Sequence, residues 1–203
     1  MQRTTPVVLN LIIINVLVWV AQLIFDRTFG LTEIIALHSY QSADFRPYQL
    51  VTHMFAHASY DGRGGVVFFH ILFNMYALWM FGSVLERVWG PKRFLIFYLV
   101  CGLAAGVAQM LLVREGSSVG ASGAIMGLLA AFAYLFPNTQ FYILPFPFPI
   151  KAKYMVAIYA AIDLFGGLAP GSDNIAHFAH LGGLVMGFIL VIIWNKTNKK
   201  TFY

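Results

Sequence analysis

Long apolar runs, separated by short polar stretches, dominate the chain. Six of them predict membrane-crossing helices, because a bilayer core takes about 20 apolar residues of helix and lipid offers no partners to backbone groups. The predicted spans are approximately residues 7–25, 66–88, 93–113, 121–136, 152–169 and 175–194. The pattern therefore predicts an all-α, polytopic membrane protein, a bundle of six transmembrane helices that forms a single domain over residues 1–203.

Two connections between the predicted helices differ in composition from the rest. The connection over residues 26–65 is the longest, and loops of such length usually carry function. Its amphipathic pieces, such as residues 48–55, predict that part of it lies in the membrane interface. The connection over residues 137–151 contains four prolines, which predicts an extended cytoplasmic segment.

Composition supports the membrane assignment. Hydrophobic residues make up 60% of the chain and charged residues 10%, whereas soluble domains carry about 25% charge. The net charge of +5 therefore does not indicate a nucleic-acid partner, since basic residues in a membrane protein chiefly set its orientation. The single cysteine, Cys101, excludes an intramolecular disulfide and is expected to be a small buried side chain.

The distribution of basic residues predicts the topology. With a cytoplasmic N-terminus, nine lysines and arginines fall on the cytoplasmic side and four outside, and both termini are cytoplasmic. The cytoplasmic residues are Arg3, Arg87, Lys92, Arg93, Lys151, Lys153, Lys196, Lys199 and Lys200, and the external ones are Arg27, Arg46, Arg63 and Arg114. The short loops and the lack of a eukaryote-like extension suggest a bacterial inner membrane. The first apolar run ends without a small-x-small cleavage pattern, which favours a retained anchor over a signal peptide.

The serine in Gly120-Ala121-Ser122-Gly123 lies at the start of the fourth predicted helix. Free N–H groups and the positive end of the helix dipole meet there, and both stabilise a nearby oxyanion. By itself, the motif is better explained by close packing of small residues between membrane helices. A functional interpretation needs a base close to the hydroxyl.

A histidine on the sixth predicted helix supplies a candidate base. His180 belongs to His180-Leu181-Gly182-Gly183, and Gly183 and Gly187 form a G-x-x-x-G pattern that allows close helix packing. Histidine can accept and return a proton near neutral pH. His177, one turn earlier, is the competing candidate, and the glycines around His180 favour His180 as base and His177 as a structural residue.

Two further polar residues share one face of the second predicted helix. His70 and Asn74 are four residues apart, and each can donate a hydrogen bond to a developing oxyanion. The alternative is that they stabilise helix packing, which the presence of Ser122 and His180 makes less favoured. Asp163, in the fifth run, is expected to form a polar contact between helices. We therefore predict a Ser–His dyad without an acidic third member, in which packing orients the base.

A metal site is the other chemical possibility that the sequence offers. His53-Met54-Phe55-Ala56-His57 has the two-histidine spacing of the zinc protease motif, but that motif requires a glutamate directly after the first histidine. Met54 cannot act as that base, which argues against a metalloprotease. His53 and His57 are therefore predicted to be structural residues of the external loop.

Taken together, these motifs resemble the rhomboid family of intramembrane serine proteases over approximately residues 9–194. The matching motifs are Gly120-Ala121-Ser122-Gly123, His180-Leu181-Gly182-Gly183 with Gly187, His70-x-x-x-Asn74 and Gly82-x-x-x-Glu86-x-x-x-Gly90. The resemblance implies a Ser122–His180 dyad and an oxyanion hole formed by His70, Asn74 and the Ser122 backbone N–H. It also implies transmembrane protein substrates, a 26–65 loop that half-enters the membrane, and no metal or cofactor.

The chain departs from the family pattern at three places. Tyr48-Gln49 stands where members commonly carry Trp-Arg, so an expected structural arginine is absent unless Arg46 replaces it. Residues 60–65 look like an insertion, and Met126 stands where many members carry an aromatic residue. The sequence is also compatible with two other functions: a catalytically silent relative that binds client helices, and, less favoured, a transporter or channel built around buried polar groups such as Asp163 or His70.

Overall fold

The computed structural model describes residues 5–113, 116–142, 148–169 and 175–197. Most of these residues are helical. The helices are α1 (Pro6–Phe29), α2 (Leu31–Ile35), α3 (Gln49–Thr52), α4 (Phe69–Ala77), α5 (Ser83–Trp89), α6 (Pro91–Leu112), α7 (Ser122–Leu135), α8 (Ala152–Leu168) and α9 (His177–Thr197). A π-helical turn, Leu78–Gly82, joins α4 to α5, so that residues 69–89 form one helical segment. Four of the basic residues on which the predicted topology depends lie outside the described residues: Arg3, Arg114, Lys199 and Lys200.

Each of the six predicted spans coincides with a helical segment, but the six-span count itself stays a prediction. Among the described residues, three helices are both long and apolar enough to cross a membrane: α1, α6 and α9. The helix α7 is apolar but only 14 residues long. Together with the hydropathy of the chain, these helices identify an integral, multi-pass membrane protein.

The described residues also contain four short strands that the all-α prediction omitted. The strand β1 (Leu37–His38) pairs antiparallel with β2 (Ser117–Ser118), and β3 (Gln140–Phe141) pairs antiparallel with β4 (Ile150–Lys151). The first pair joins the 26–65 loop to the segment just before Ser122. The second pair closes the proline-rich connection, of which residues 143–147 lie outside the described part.

The 26–65 loop is organised around Gln49, which stands where the family commonly has arginine. Its buried side-chain amide accepts hydrogen bonds from the N–H groups of His38 and Arg46 and donates to the carbonyls of Ile34 and Asp44. Arg46 instead donates to two neighbouring carbonyls at the surface. Gln49 itself, rather than Arg46, therefore ties the loop together.

Side chains of α1 fix the same loop to the helical frame. The Gln22 amide accepts from the N–H of His57 at 3.0 Å and donates to its carbonyl at 2.8 Å. The Asp26 carboxylate accepts hydrogen bonds from Thr32 and Ser59. Residues 60–65 form a tight exposed turn, in which Asp61 accepts the N–H groups of Arg63 and Gly65. The apparent insertion is thus a compact turn at the edge of an anchored loop.

Glycines allow the helices α6, α7 and α9 to pack so closely that their backbones are in contact. A Cβ atom on Gly183 would overlap the carbonyl oxygen of Gly123, and one on Gly187 would overlap the backbone of Gly127. A Cβ on Gly182 would collide with Ala108 of α6. The predicted close packing of the sixth helix is therefore present, and its main partner is the helix that begins at Ser122.

Candidate active site

A tight turn places Ser122 at the first position of α7. Gly120, two residues earlier, has a φ of +126°, a backbone conformation that favours glycine. Its N–H donates to the carbonyl of His53 at 2.9 Å, and the β1–β2 pair holds the residues just before it. Because Ser122 opens the helix, the backbone N–H groups of the first turn have no partners within α7.

His180 lies directly against Ser122. Its Nε2 atom is 2.9 Å from Ser122 Oγ, across the close contact between α7 and α9. The side chain of Gln109 on α6 accepts the N–H of Ala179 at 3.1 Å, which fixes the first turn of α9. The distance that the nucleophile–base hypothesis requires is therefore met, and His180 rather than His177 is the histidine hydrogen-bonded to the serine.

Asp163 of α8 completes a chain of three hydrogen-bonded residues, where the sequence predicted only the Ser122–His180 pair. Its Oδ1 atom lies 2.9 Å from His180 Nδ1 and 2.8 Å from His177 Nδ1. Asp163 is a polar contact between helices, as expected, but one of its partners is the candidate base. The prediction that packing alone orients His180 is thus wrong, because a carboxylate oxygen accepts the Nδ1–H group.

His70 and Asn74 face the same site from α4. The N–H of Ala58 donates to His70 Nδ1 at 3.1 Å, so the proton of the neutral ring is on Nε2. Both His70 Nε2 and Ser122 Oγ lie within 3.6 Å of the point that a Cβ on Gly120 would occupy. Asn74 is buried, and its amide donates to the carbonyl of His70 at 2.8 Å.

A cavity of about 830 Å³ connects these residues. Its walls include residues of α4, α7, α8 and α9, among them His70, Asn74, Ser122, Gly166, His177 and His180. A ligand pocket usually measures about 300–1,000 Å³. The cavity is therefore large enough to receive several residues of a polypeptide beside Ser122.

The two histidines of the disfavoured metal motif form contacts within the protein. His53 Nδ1 donates to the carbonyl of Gln49 at 2.8 Å, and His57 Nε2 donates to Asn15 Oδ1 at 2.8 Å. Burial, followed by the neighbouring His70 ring, lowers the pKa of His57 to about 3. Among the described residues, no three His, Cys, Asp or Glu side chains are arranged to hold a metal ion.

Met126, the third departure from the family pattern, is buried in the core one turn after Ser122.

Comparisons with known proteins point to one family. RHOMBOID-like protein 4 of Arabidopsis thaliana is 37% identical over 129 residues, which are 63% of this chain and 30% of the relative. The mitochondrial Rhomboid protein 1 of Saccharomyces cerevisiae is 36% identical over 140 residues, covering 66% of this chain and 40% of the relative. The mitochondrial presenilin-associated rhomboid-like protein of Homo sapiens is 35% identical over 138 residues, covering 63% of this chain and 36% of the relative.

This chain thus spans between 30% and 40% of the length of these relatives. The family model described as the Rhomboid domain matches residues 44–196. That range contains Ser122, His180, Asp163, His70 and Asn74. Since it also covers well over half of the chain, the chain belongs to the rhomboid family.

Proposed function

We propose that the protein is an intramembrane serine endopeptidase that cleaves other transmembrane proteins. The observation that carries the proposal is the 2.9 Å distance between Ser122 Oγ and His180 Nε2 inside an apolar helical bundle. A hydroxyl needs an adjacent base to become a nucleophile, and ionisable residues at membrane depth usually have a function. Family membership supports the same reaction class.

In the proposed reaction, Ser122 Oγ attacks the carbonyl carbon of the scissile peptide bond while His180 Nε2 takes its proton. The resulting tetrahedral intermediate collapses, and His180 returns the proton to the leaving amine. Water, activated by the same imidazole, then hydrolyses the acyl-enzyme ester and regenerates Ser122. His180 thus acts first as a general base and then as a general acid in each half of the reaction.

Three donors are proposed to hold the oxyanion. His70 Nε2–H lies near Ser122 and is available because Nδ1 accepts from Ala58. Asn74 uses one amide N–H on the His70 carbonyl, and an amide nitrogen carries two. The Ser122 backbone N–H, in the first turn of α7, adds the positive end of the helix dipole. Donors arranged in advance around the developing charge stabilise the transition state.

The short length of α7 supports cleavage below the external membrane surface. A helix of 14 residues measures roughly 21 Å, whereas the hydrocarbon core is about 30 Å thick. If the C-terminal end of α7, at Leu135, lies at the cytoplasmic face, Ser122 at the other end lies inside the apolar layer, below the external surface, and the cavity brings water to it. A substrate helix has to unwind locally to expose its peptide bond, so small or helix-breaking residues are expected near the cut.

The proposed orientation places both termini in the cytoplasm, on the distribution of basic residues. A bacterial inner membrane remains the prediction from the sequence, although two of the relatives named above carry "mitochondrial" in their names.

Cleavage of a transmembrane reporter in proteoliposomes tests the proposal. The parent protein is expected to cut the reporter at one site, and Ser122→Ala to lose the activity. Ser83→Ala serves as the control, because Ser83 is a buried serine of α5 whose hydroxyl has no hydrogen-bond partner among the described residues. Equal cleavage by the parent and Ser122→Ala would refute the mechanism. Co-purification of uncut reporter with the parent would instead favour a non-catalytic binder of client helices.

A further inference from the structure

One carboxylate oxygen in the site serves two histidines. Asp163 Oδ1 lies 2.8 Å from His177 Nδ1 and 2.9 Å from His180 Nδ1. All three side chains are largely buried, with relative exposures of 7% for Asp163, 7% for His177 and 18% for His180. Because a carboxylate oxygen accepts hydrogen bonds, both Nδ1 atoms carry protons and His180 Nε2 is left to accept the Ser122 hydroxyl.

We propose that Asp163 is the positioning residue of the base, and that His177 competes with His180 for its charge. This inference rests on the proposed protease function. It adds a third member to the Ser–His pair and gives His177 a defined effect on the pH range in which the protein is active.

The hydrogen bond from His180 to Asp163 has two consequences for catalysis. It fixes the tautomer in which Nε2 is free to take the serine proton, and it holds the ring in the plane that reaches Ser122 Oγ. The negative carboxylate also stabilises the imidazolium that forms when Ser122 loses its proton. Burial strengthens this attraction, because fewer water molecules screen the two groups.

Sharing the oxygen weakens that attraction. The N–H of His177 withdraws part of the electron density that Asp163 Oδ1 offers to His180, so the imidazolium of His180 is stabilised less than it would be by an unshared carboxylate. Removing His177 should thus strengthen the pair, and neutralising Asp163 should weaken it. The two changes are expected to shift the acidic limb of the activity profile in opposite directions.

The described surroundings contain few other charges that could produce such shifts. The titratable groups that face His180 from the neighbouring elements are Asp163 of α8, His177 of α9 and His70 of α4. The α7 neighbour is the Ser122 hydroxyl, and Gln109 on α6 is uncharged. Within the described residues, Asp163 is therefore the only acidic side chain hydrogen-bonded to the base.

His177 is also held in place by the shape of α8. A Cβ on Gly166 would overlap the His177 ring, and a Cβ on Gly167 would press against the His177 and Phe178 side chains. The two glycines thus let the ring lie flat against α8 beside Asp163. This arrangement makes His177 a persistent competitor for the carboxylate rather than an occasional one.

The decisive experiment measures kcat and KM of reporter cleavage across pH for the parent, Asp163→Asn and His177→Leu. Asparagine keeps the shape of aspartate without its charge. We expect Asp163→Asn to lower kcat by on the order of 10²–10³-fold, with KM changed by less than about threefold, and to move the acidic limb to lower pH. We expect His177→Leu to keep kcat within about tenfold and to move the acidic limb to higher pH.

Asp26→Asn is the matched control. Asp26 is also a partly buried carboxylate that accepts several hydrogen bonds, but its partners are Thr32 and Ser59 in the loop. It should lower the melting temperature without moving the acidic limb. If the acidic limb of the pH–activity profile lies at the same pH in Asp163→Asn and in the parent, the inference is overturned. If Ser122→Ala is inactive in the same assay, the protease proposal stays intact.

A spectroscopic measurement keeps the inference testable if a variant fails to fold or the parent cleaves no reporter. Nitrogen-15 NMR of imidazole-labelled protein in detergent reports which ring nitrogen of each histidine carries the proton, with His180→Ala to assign the signal. A proton on Nδ1 of His180, hydrogen-bonded as in the structure, supports the inference. A proton on Nε2 of a neutral His180 would overturn it, whatever the activity.

Discussion

The helices α7 and α8 both contribute to the site, but they are held in the bundle in different ways. The helix α7 is almost entirely buried, and its glycines contact the backbone of α9. The helix α8 is largely exposed: Phe165 and Leu168 expose 72% and 67% of their surfaces, and only Ala152, Met155 and Asp163 are buried. One helix is fixed by backbone contact, and the other by a few side chains.

This difference separates two requirements of the proposed chemistry. The distance between Ser122 and His180 depends on α7 and α9, which glycine contacts hold rigidly. The orientation of His180 depends on Asp163, which belongs to the exposed helix that also forms one wall of the cavity. Protein interiors pack tightly and resist deformation, so α7 and α9 should keep the pair in place even where α8 shifts.

The largest effect is expected from a methyl group at the contact between α7 and α9. In Gly183→Ala the new Cβ would overlap the carbonyl oxygen of Gly123, so the two helices must separate and Ser122 must move away from His180. A displacement of about 1 Å can cost on the order of 100-fold in rate. We expect at least that loss of reporter cleavage, together with a lower melting temperature.

Gly62→Ala is the control for that substitution. A Cβ on Gly62 would meet nothing within 4 Å, so activity and melting temperature should equal those of the parent. Parent-like cleavage by Gly183→Ala would show that the contact between α7 and α9 is not what sets the distance between Ser122 and His180.

A smaller effect is expected on stability, which should depend more on the buried helices, such as α6, than on the exposed helix α8. Phe97 of α6 is fully buried. The centroid of its ring lies 4.7 Å from that of Trp89 and 5.7 Å from that of Trp194. Phe97→Ala should lower the free energy of unfolding by about 3 kcal/mol, because it leaves a cavity. Phe165→Ala should lower it by less than about 0.5 kcal/mol, since an exposed side chain loses few contacts. Chemical denaturation in mild detergent measures both, and equal losses would contradict the comparison.

The smallest expected effect concerns pH and the anchored loop. Burial, and then the adjacent His70 ring, lowers the pKa of His57 from 6.5 to about 3. Below about pH 6.5 the unfolded chain binds a proton at His57 that the folded protein does not, so stability falls as pH falls towards 3. The loss amounts to at most about 1.4 kcal/mol per pH unit.

Melting temperatures recorded from about pH 7.5 to about pH 4.5 check this dependence. His57→Gln removes the titrating ring, so its melting temperature should fall less with pH than that of the parent. Identical pH dependence in the two proteins would show that His57 is not protonated on unfolding in this range.

The helical segments were predictable because lipid and protein interior impose the same requirement on them: apolar side chains and internally paired backbone groups. Ser122 and His180 were recognisable because a hydroxyl and an imidazole, each next to glycines, are unusual in apolar runs. Both arguments depend only on local composition and spacing, which can be read from the sequence without a structure.

The role of Asp163 could not be derived in that way. A hydropathy pattern shows that Asp163 lies in the fifth apolar run, but not which way the helix is rotated or which helix it faces. Its pairing with His177 and His180 depends on the packing of α8 on α9, which Gly166 and Gly167 permit. A buried acid at membrane depth was the available signal, and a histidine partner could have been sought for it.

The loop shows a second limit of sequence reasoning. Gln49 was a departure from the family pattern, and only the structure shows that its amide makes the loop contacts itself. The two-residue strands β1 and β2 have no sequence signature, because a strand that short has no periodicity to detect. Their pairing depends on the whole bundle bringing the loop beside the Ser122 segment.

Covalent labelling with a fluorophosphonate probe tests the central claim most directly, because the probe reacts with a serine that a base has activated. Mass spectrometry of the labelled parent protein should locate the probe on Ser122, and His180→Ala should abolish the labelling while the protein remains folded. An unlabelled Ser122 in the folded parent, or equal labelling of Ser122 in the parent and His180→Ala, would contradict the account.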